Sequence, residues 1–302
     1  MSLSHTSPSH EASAFTSLLF ASVQMEPTVG HKAANLARSI HLIEQAAAQG
    51  AAAVVLPELA NSGYVFSSRE EAFSLAEAVP DGESTMAWAQ VAQRLNVYVI
   101  AGLAERVADK LYNTAVVIGP KGHIGTYRKV HLWGDEHLFF EPGDLGLPVF
   151  HTEIGRLAVL ICYDGWFPET YRVLALKGAD VVCMPTNWVP MPGQPADAMA
   201  MANTLVMANA HSNGLSVVCA DRIGTERGQP FIGRSLIVGS GGWPLAGPAS
   251  ADREEILYAR IDLRHSRQVR HLNAFNNVLK DRRDDVYGAA LDLPGPQPRS
   301  FL

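Results

Sequence analysis

The fold is decided by the stretch Leu157-Ala158-Val159-Leu160-Ile161-Cys162-Tyr163-Asp164-Gly165-Trp166-Phe167-Pro168-Glu169, in which an apolar run meets a polar segment. The apolar residues indicate a buried strand, and the proline is typical of the first turn of a helix. A strand that ends in a sharp turn fixes the thiol of Cys162 and exposes it at the edge of a sheet. Polar residues follow Cys162 directly, whereas Cys183 and Cys219 lie in apolar runs typical of core cysteines. We therefore predict that Cys162 is a nucleophile.

Two other strand ends carry groups with complementary chemistry. Glu58 follows the apolar run 53–57, and Lys129 follows the segment 124–127. An unperturbed cysteine thiol has a pKa of about 8.5, so a nucleophilic Cys162 needs a base within hydrogen-bond reach. We predict that Glu58 is this base and that Lys129, with the backbone N–H of Tyr163, stabilises the oxyanion formed on a carbonyl substrate.

The rest of the chain alternates between strand-like and helix-like segments. The pattern predicts strands at 17–24, 53–56, 97–103, 111–118, 124–127, 157–161, 180–184 and 215–220, and helices at 31–49, 84–95, 168–176 and 196–210. A closing strand pair is predicted from 235–238 and 255–261. Strand–helix–strand units in both halves predict an α/β fold of two packed layers in a single domain.

Composition excludes several classes of protein. The net charge of −6 and the absence of a dense basic block argue against nucleic-acid binding. No apolar run approaches the roughly 18 residues of a membrane span, and the start of the chain lacks the order of a secretory signal. We predict a cytoplasmic protein with a disordered leader (1–15), a catalytic domain (16–265) and a charged C-terminal arm and tail (266–302). The arm is either solvated or located at a subunit interface.

The ordered motifs resemble the nitrilase superfamily, the carbon–nitrogen hydrolases with a Glu-Lys-Cys triad. The matching segments are Leu56-Pro57-Glu58 with Gly63-Tyr64, Tyr127-Arg128-Lys129-Val130-His131-Leu132, and Cys162-Tyr163-Asp164 with Phe167-Pro168-Glu169. The resemblance covers nearly the whole chain, from residue 17 to about residue 287. It implies a nitrilase-like αββα sandwich that forms a homodimer or higher homo-oligomer, in which the sheets build a four-layer αββααββα assembly.

The resemblance also implies a second glutamate and a reaction. Glu136 matches the family's second glutamate, which positions the substrate or supports Lys129, and Glu141 is the rival in the same segment. Glu58 then takes the proton from Cys162, the thiolate attacks an amide carbon, ammonia leaves, and water releases the acid from the thioester. No metal and no organic cofactor take part in this reaction.

The motif around Cys162 resembles the amidase and carbamoylase branches more than nitrilases proper. The segments 222–226 and 231–235 are also similar to the carbamoyl-putrescine and N-carbamoyl amidase group. The substrate predicted from this resemblance is a small amide, and the alternative is a nitrile or an N-carbamoyl compound.

The sequence also nominates residues for the substrate pocket. Asn187 and Trp188 follow the strand that carries Cys183 and should face the same cavity, where Trp188 either shapes the acyl pocket or anchors the core. The further candidates are Tyr64, Trp133, Tyr163 and Trp166. Asp164 is predicted to fix the turn after Cys162, although it could instead cap the helix that begins at residue 168.

Two competing hypotheses remain. A Cys-His hydrolase could use His131 or His137 as its base, whereas a metal site at this histidine pair lacks a third ligand with suitable spacing. A binding or scaffold protein could retain the fold without catalysis. Fast alkylation of Cys162 relative to the other cysteines would favour the enzyme.

Overall fold

The computed structural model describes residues 17–195 and 198–291. The strands are β1 (Ser17–Gln24), β2 (Ala53–Val55), β3 (Tyr98–Val107), β4 (Lys110–Gly119), β5 (Gly122–Arg128), β6 (Val149–Thr152), β7 (Gly155–Val159), β8 (Val181–Pro185), β9 (Ser216–Ala220), β10 (Thr225–Glu226), β11 (Gln229–Pro230), β12 (Leu236–Val238), β13 (Pro244–Ala246) and β14 (Glu255–Asp262). The α-helices are α1 (Lys32–Ala48), α2 (Arg69–Leu75), α3 (Glu83–Leu95), α4 (Pro168–Leu176), α5 (Met201–Asn213), α6 (Leu263–Gln268) and α7 (Asp284–Leu291). The predicted leader, 1–15, lies outside the described residues.

The strands form two large sheets with the same internal plan. The first sheet has the order β14-β1-β2-β3-β4-β5, and the second has the order β13-β12-β9-β8-β7-β6. In each sheet the central strands are parallel, β1-β2-β3 in the first and β7-β8-β9 in the second, and the outer strands are antiparallel. The carboxyl ends of the parallel strands are where α/β proteins place functional groups.

The two sheets pack face to face, and helices cover their outer faces. One core cluster joins side chains of both sheets, such as Val55 and Val117 from the first and Val159 and Val218 from the second. A second cluster lies between the first sheet and the helices α1 and α3, and it includes the fully buried Trp88. Residues of α4 and α5 pack on the second sheet. The architecture is an αββα sandwich in one domain, as predicted.

Most predicted elements are present, but two predictions need correction. The pairing of 235–238 with 255–261 is wrong, because β12 lies beside β9 in the second sheet and β14 pairs with β1 in the first. Alternating apolar residues show that a segment is a strand but do not show which sheet it joins. The helix predicted at 196–210 begins at Met201 and ends at Asn213, where Gly214 adopts a left-handed φ of 58°. Residues 196 and 197 lie outside the described part.

The first part of the C-terminal arm packs on its own chain. The Arg267 Nε lies 3.1 Å from Asp180 Oδ1, and Arg270 Nη2 donates to the carbonyl of Ala179 at 2.9 Å. Farther along, the carbonyl of Val278 accepts from Arg172 Nη1 at 3.1 Å. The predicted tail beyond residue 291 lies outside the described residues. Among those described, no helix is both long and apolar enough to cross a membrane.

Candidate active site

Cys162 lies where the second sheet delivers its chain to a tight turn. It follows β7 and begins a short 3₁₀ helix, Cys162–Trp166. Its φ of 46° is left-handed, which is uncommon for a residue with a side chain and is the kind of strain that concentrates at functional sites. The residue is 6% exposed and lines a cavity. The thiol is therefore held in a fixed orientation with access to a small molecule.

Asp164 holds this turn together. Its Oδ2 accepts hydrogen bonds from the backbone N–H of Ile161 at 3.0 Å and from the Tyr127 hydroxyl at 2.7 Å. Its Oδ1 accepts from the backbone N–H of His131 at 2.9 Å. These hydrogen bonds confirm the prediction that Asp164 fixes the turn. The capping alternative is wrong, because Phe167 is the N-cap residue of α4.

Lys129 joins two carboxylates in the buried interior. Its Nζ donates to Glu58 Oε1 at 2.7 Å and to Glu136 Oε1 at 2.6 Å, and its side chain is fully buried. Burial alone lowers the pKa of Lys129, but the negative charges of Glu136 and Glu58 outweigh this effect and raise the pKa above its usual value. Lys129 is therefore a permanent positive charge at this site.

Glu58 keeps one oxygen free. Its Oε1 accepts from Lys129 and from Asn113 Nδ2, the latter at 2.6 Å, whereas its Oε2 has no hydrogen-bond partner among the described residues. Burial raises the pKa of Glu58 to about 7, the nearby Glu136 adds to the rise, and Lys129 and Asn113 oppose it. A carboxyl group with a pKa near 7 is suited to general-base chemistry at neutral pH.

The backbone around Glu58 requires close approach from β3. A Cβ atom at Gly102 would lie 2.6 Å from the Cα of Glu58, a distance that real Cβ contacts do not adopt. The carbonyl of Gly102 also accepts from the backbone N–H of Ala60 at 2.8 Å. Glycine at position 102 thus allows the loop that carries Glu58 to lie directly on the sheet.

Tyr64 also holds Glu136, through the same carboxylate oxygen that Lys129 contacts. The Tyr64 hydroxyl donates to Glu136 Oε1 at 2.6 Å, and Glu136 Oε2 has no partner among the described residues. The loop of Tyr64 is held by Glu226, whose Oε2 accepts from the Tyr64 N–H at 2.8 Å. Glu141, the rival candidate, is half-exposed and lies 3.9 Å from Arg69. The structure therefore brings Glu136 to Lys129 and leaves Glu141 at the surface.

Two adjacent cavities open beside these residues. The first, which we call the thiol cavity, contains Cys162 and five of the predicted pocket residues: Trp133, Tyr163, Trp166, Asn187 and Trp188. The second, which we call the acidic cavity, is lined by Tyr64, Val65, Phe66, Trp133, Gly134, Asp135, Glu136, Phe139, Phe140, Val189 and Gln229. Trp133 and Val189 line both cavities. Tyr64, the remaining predicted pocket residue, lines the acidic cavity and not the thiol cavity.

The surroundings of Cys162 favour the protonated form of its thiol. Burial raises the pKa of Cys162 well above its usual value, the charge of Glu58 raises it further, and Lys129 and the backbone N–H of Asn187 lower it. The charges of Glu58 and Lys129 thus act on the thiol in opposite directions. A protonated thiol needs a base that takes its proton when the sulfur attacks an electrophile.

His131 is occupied by other contacts. Its Nδ1 lies 2.8 Å from Asp164 Oδ1, and its ring stacks on Phe167 with centroids 3.7 Å apart. Within ranges 17–195 and 198–291, no group of three His, Cys, Asp or Glu residues is arranged to hold a metal ion.

Sequence reasoning missed Asn113 and half of the thiol cavity. Asn113 is a buried amide in β4 that donates to Glu58, and a polar residue inside an apolar strand was the available signal. The other missed residues, which line the thiol cavity, are Val189, Met191, Gln194, Met201, Ala202 and Ile232. Most come from the loop before α5 and from that helix, whose placement depends on tertiary packing.

The chain combines a sandwich of two helix-covered sheets with a buried carboxylate, ammonium group and thiol that follow strands of these sheets. Residues 19–271 match the model of the family described as carbon-nitrogen hydrolase, and the chain belongs to this family. It is an enzyme of the class that acts on carbon–nitrogen bonds other than peptide bonds.

Three known proteins illustrate the similarity. The chain is 46% identical to a nitrilase of Pyrococcus abyssi (strain GE5 / Orsay), with 88% of this chain and 97% of the relative covered. It is 33% identical to an N-carbamoylputrescine amidase of Solanum lycopersicum, with coverages of 87% and 92%. The crystal structure of a carbon-nitrogen hydrolase from Helicobacter pylori G27 superimposes with a TM-score of 0.83 at 31% identity, covering 92% of this chain and 99% of that one.

Proposed function

We propose that the protein hydrolyses a small amide to an acid and ammonia through a thioester on Cys162. The observation that carries this proposal is the pair of hydrogen bonds from Lys129 to Glu58 and Glu136, and the charges of Lys129 and Glu58 also act on the Cys162 thiol, which lines a cavity. These bonds leave Glu58 Oε2 without a partner among the described side chains, so this oxygen is available for a proton.

The proposed reaction has two halves with balanced proton transfers. Glu58 takes the thiol proton as the sulfur of Cys162 attacks the amide carbon, and Lys129 with the Tyr163 N–H stabilises the oxyanion. When the tetrahedral intermediate collapses, Glu58 returns the proton to the nitrogen, ammonia leaves and a thioester remains. Glu58 then takes a proton from water, hydroxide attacks the thioester, and the departing sulfur recovers the proton. Glu136 orients the amide nitrogen and holds Lys129.

A nitrile or an N-carbamoyl compound is the second candidate substrate. The relatives support it, because one is named a nitrilase and another an N-carbamoylputrescine amidase. A nitrile would give a thioimidate on Cys162, whereas a carbamoyl compound would release carbon dioxide. The same three residues would carry each reaction.

The proposal also includes the cellular location and the oligomeric state of the enzyme. We place the protein in the cytoplasm as a homodimer or higher homo-oligomer, with part of the segment 266–302 at the interface between subunits. Exposed apolar side chains on this segment, at Leu272 and Phe275, support an interface there. Sedimentation of the full chain, compared with a variant that carries Phe275→Asp, tests the assembly.

The deciding experiment is a product screen. Short amides, matched nitriles and carbamoyl amines are incubated with the enzyme, and acid, ammonia and carbon dioxide are measured. Acid and ammonia from amides support the amidase, whereas carbon dioxide from carbamoyl compounds moves the function to a carbamoylase. Absence of turnover in all three sets would refute the proposed function.

A further inference from the structure

Glu226 is a buried carboxylate that lines neither of the two cavities. Its Oε1 accepts from the backbone N–H of Val29 at 2.8 Å. Its Oε2 accepts from the backbone N–H groups of Tyr64 and Val65 at 2.8 and 2.7 Å, and Arg222 Nη1 lies 3.2 Å from the same oxygen. Hydrogen bonds to a buried carboxylate are strong, so Glu226 fixes the backbone segments that donate to it.

A second contact from the same part of the chain reaches the ring of Tyr64. Residues 222–231 contain β10 and β11, and we call this segment the bracing hairpin. The ring of Phe231 meets that of Tyr64 edge to face, with centroids 5.7 Å apart. The guanidinium of Arg222 lies over the ring of Phe231 at 4.1 Å and holds it in turn. The bracing hairpin therefore contacts both the backbone and the side chain of Tyr64.

The loop before Tyr64 packs tightly against Glu226. A Cβ atom at Gly63 would lie 2.3 Å from the Cα of Val29 and 2.8 Å from Glu226 Oε1, so the close approach requires glycine. On the other side of the loop, Arg227 Nη1 donates to the carbonyl of Val65 at 2.9 Å. The loop is thus held through its N–H groups and through a carbonyl by neighbouring residues of one hairpin.

The position of Tyr64 bears directly on the catalytic carboxylates. Its hydroxyl donates to Glu136 Oε1 at 2.6 Å, and Lys129 Nζ donates to the same oxygen at 2.6 Å. A displacement of the Tyr64 loop by about 1 Å would break the hydroxyl contact or move the carboxylate with it, and such displacements can cost a factor of about 100 in rate. The geometry at Lys129 therefore depends on a carboxylate that lies outside the substrate cavities.

We propose that Glu226 is a positioning residue of the reaction, which fixes the Tyr64 loop so that Tyr64 fixes Glu136 on Lys129. The inference rests on the proposed function, in which Glu136 orients the amide nitrogen. Because Glu226 lines neither cavity, it acts on the reaction through the loop and not through the substrate.

The kinetic test is a double-mutant cycle of Glu226→Gln and Tyr64→Phe with a short amide. Both oxygens of Glu226 face donors, so the NH₂ group of glutamine would replace an acceptor and loosen the loop. Glu226→Gln should lower kcat by about tenfold or more and change KM by less than about threefold, because the substrate cavities keep their walls. Tyr64→Phe should cause a similar loss in the wild type, but a loss of less than about threefold in the Glu226→Gln background.

A matched control and a structural readout accompany the kinetics. Asp180 is also buried, accepts from the backbone N–H of Arg156 at 3.0 Å and pairs with Arg267, but it precedes β8 and lies outside both cavities. Asp180→Asn should lower the Tm and leave kcat unchanged. In Glu226→Gln, the amides of residues 62–66 should exchange hydrogen faster than in the wild type, as measured by mass spectrometry.

A second variant probes the same loop from an exposed position. Arg227→Ala removes the donor to the Val65 carbonyl at the surface, where substitution is compatible with folding. It should lower kcat by about two- to fivefold, the range expected for an exposed contact.

The outcomes separate the inference from the proposed function. Turnover by the wild type with an unchanged kcat in Glu226→Gln and Arg227→Ala, or with additive losses in the cycle, overturns the inference and leaves the amidase proposal intact. An equal loss of kcat in Asp180→Asn also overturns it, because the effect would then be a general one on the fold. Faster exchange at residues 62–66 in Glu226→Gln, without turnover of any amide by the wild type, supports the brace and refutes the amidase proposal.

Discussion

Replacing Asn113 by leucine should move the pH dependence of the reaction. Asn113 Nδ2 donates to Glu58 Oε1 at 2.6 Å, and this bond stabilises the ionised form of the carboxylate. A hydrogen bond to a charged group contributes about 1.5–3 kcal/mol, and one pKa unit corresponds to about 1.4 kcal/mol. Loss of the bond should therefore raise the pKa of Glu58, which is about 7 in the wild type, by about one to two units.

The assay is kcat/KM as a function of pH with a neutral amide. The base must be ionised, so the rate rises with pH through the pKa of Glu58, and the variant should show this rise at higher pH. At about pH 6, kcat/KM of the variant should be roughly 10- to 100-fold lower than that of the wild type. The difference should be much smaller at a pH at which Glu58 is ionised in both enzymes. The control is Thr114→Val, because it removes a hydrogen bond of the neighbouring residue that goes to Glu105 and not to Glu58. An Asn113→Leu enzyme that is folded but rises at the wild-type pH would refute the reasoning.

Three further results are expected. Glu58→Gln should lower the rate of ammonia release by about 100-fold or more, because the general base is lost. His131→Ala should retain most of the activity. The reverse order of the two variants would support a Cys-His enzyme. Asp164→Ala should lower the free energy of unfolding by more than about 2 kcal/mol, measured by urea denaturation, because buried donors lose their acceptor; an unchanged midpoint would contradict this. Iodoacetamide should label Cys162 faster than the other two cysteines, which have no exposed surface, and peptide mass mapping distinguishes this from equal labelling.

The sequence was most informative where local chemistry and local structure coincide. The bounds of β1 and α4 match the predicted 17–24 and 168–176, because a continuous apolar run and a proline at the first helical turn are local signals. The proximity of Glu58 and Lys129 was also predicted, since both follow predicted strands and their charges are complementary. Their proposed roles stay predictions until the variants are measured.

Other features depend on contacts that no local pattern encodes. The pairing of β14 with β1 brings together chain segments from opposite ends of the sequence, so the alternation within β14 could not reveal its partner. Asn113 became interpretable when the structure placed its amide on Glu58. Likewise, the acidic cavity combines the loop of Tyr64 with that of Glu136, and their hydrogen bond is a product of folding.

The residues of the site are divided between the two halves of the sandwich. Glu58 and Lys129 follow strands of the first sheet, and Cys162 follows a strand of the second, so their alignment depends on how the sheets slide on each other. A displacement of about 1 Å between reacting groups can cost a factor of about 100 in rate. The rate of turnover should therefore respond to smaller displacements between the sheets than any spectroscopic signal of secondary structure. On warming, the enzyme should lose its activity at temperatures at which both sheets are still folded.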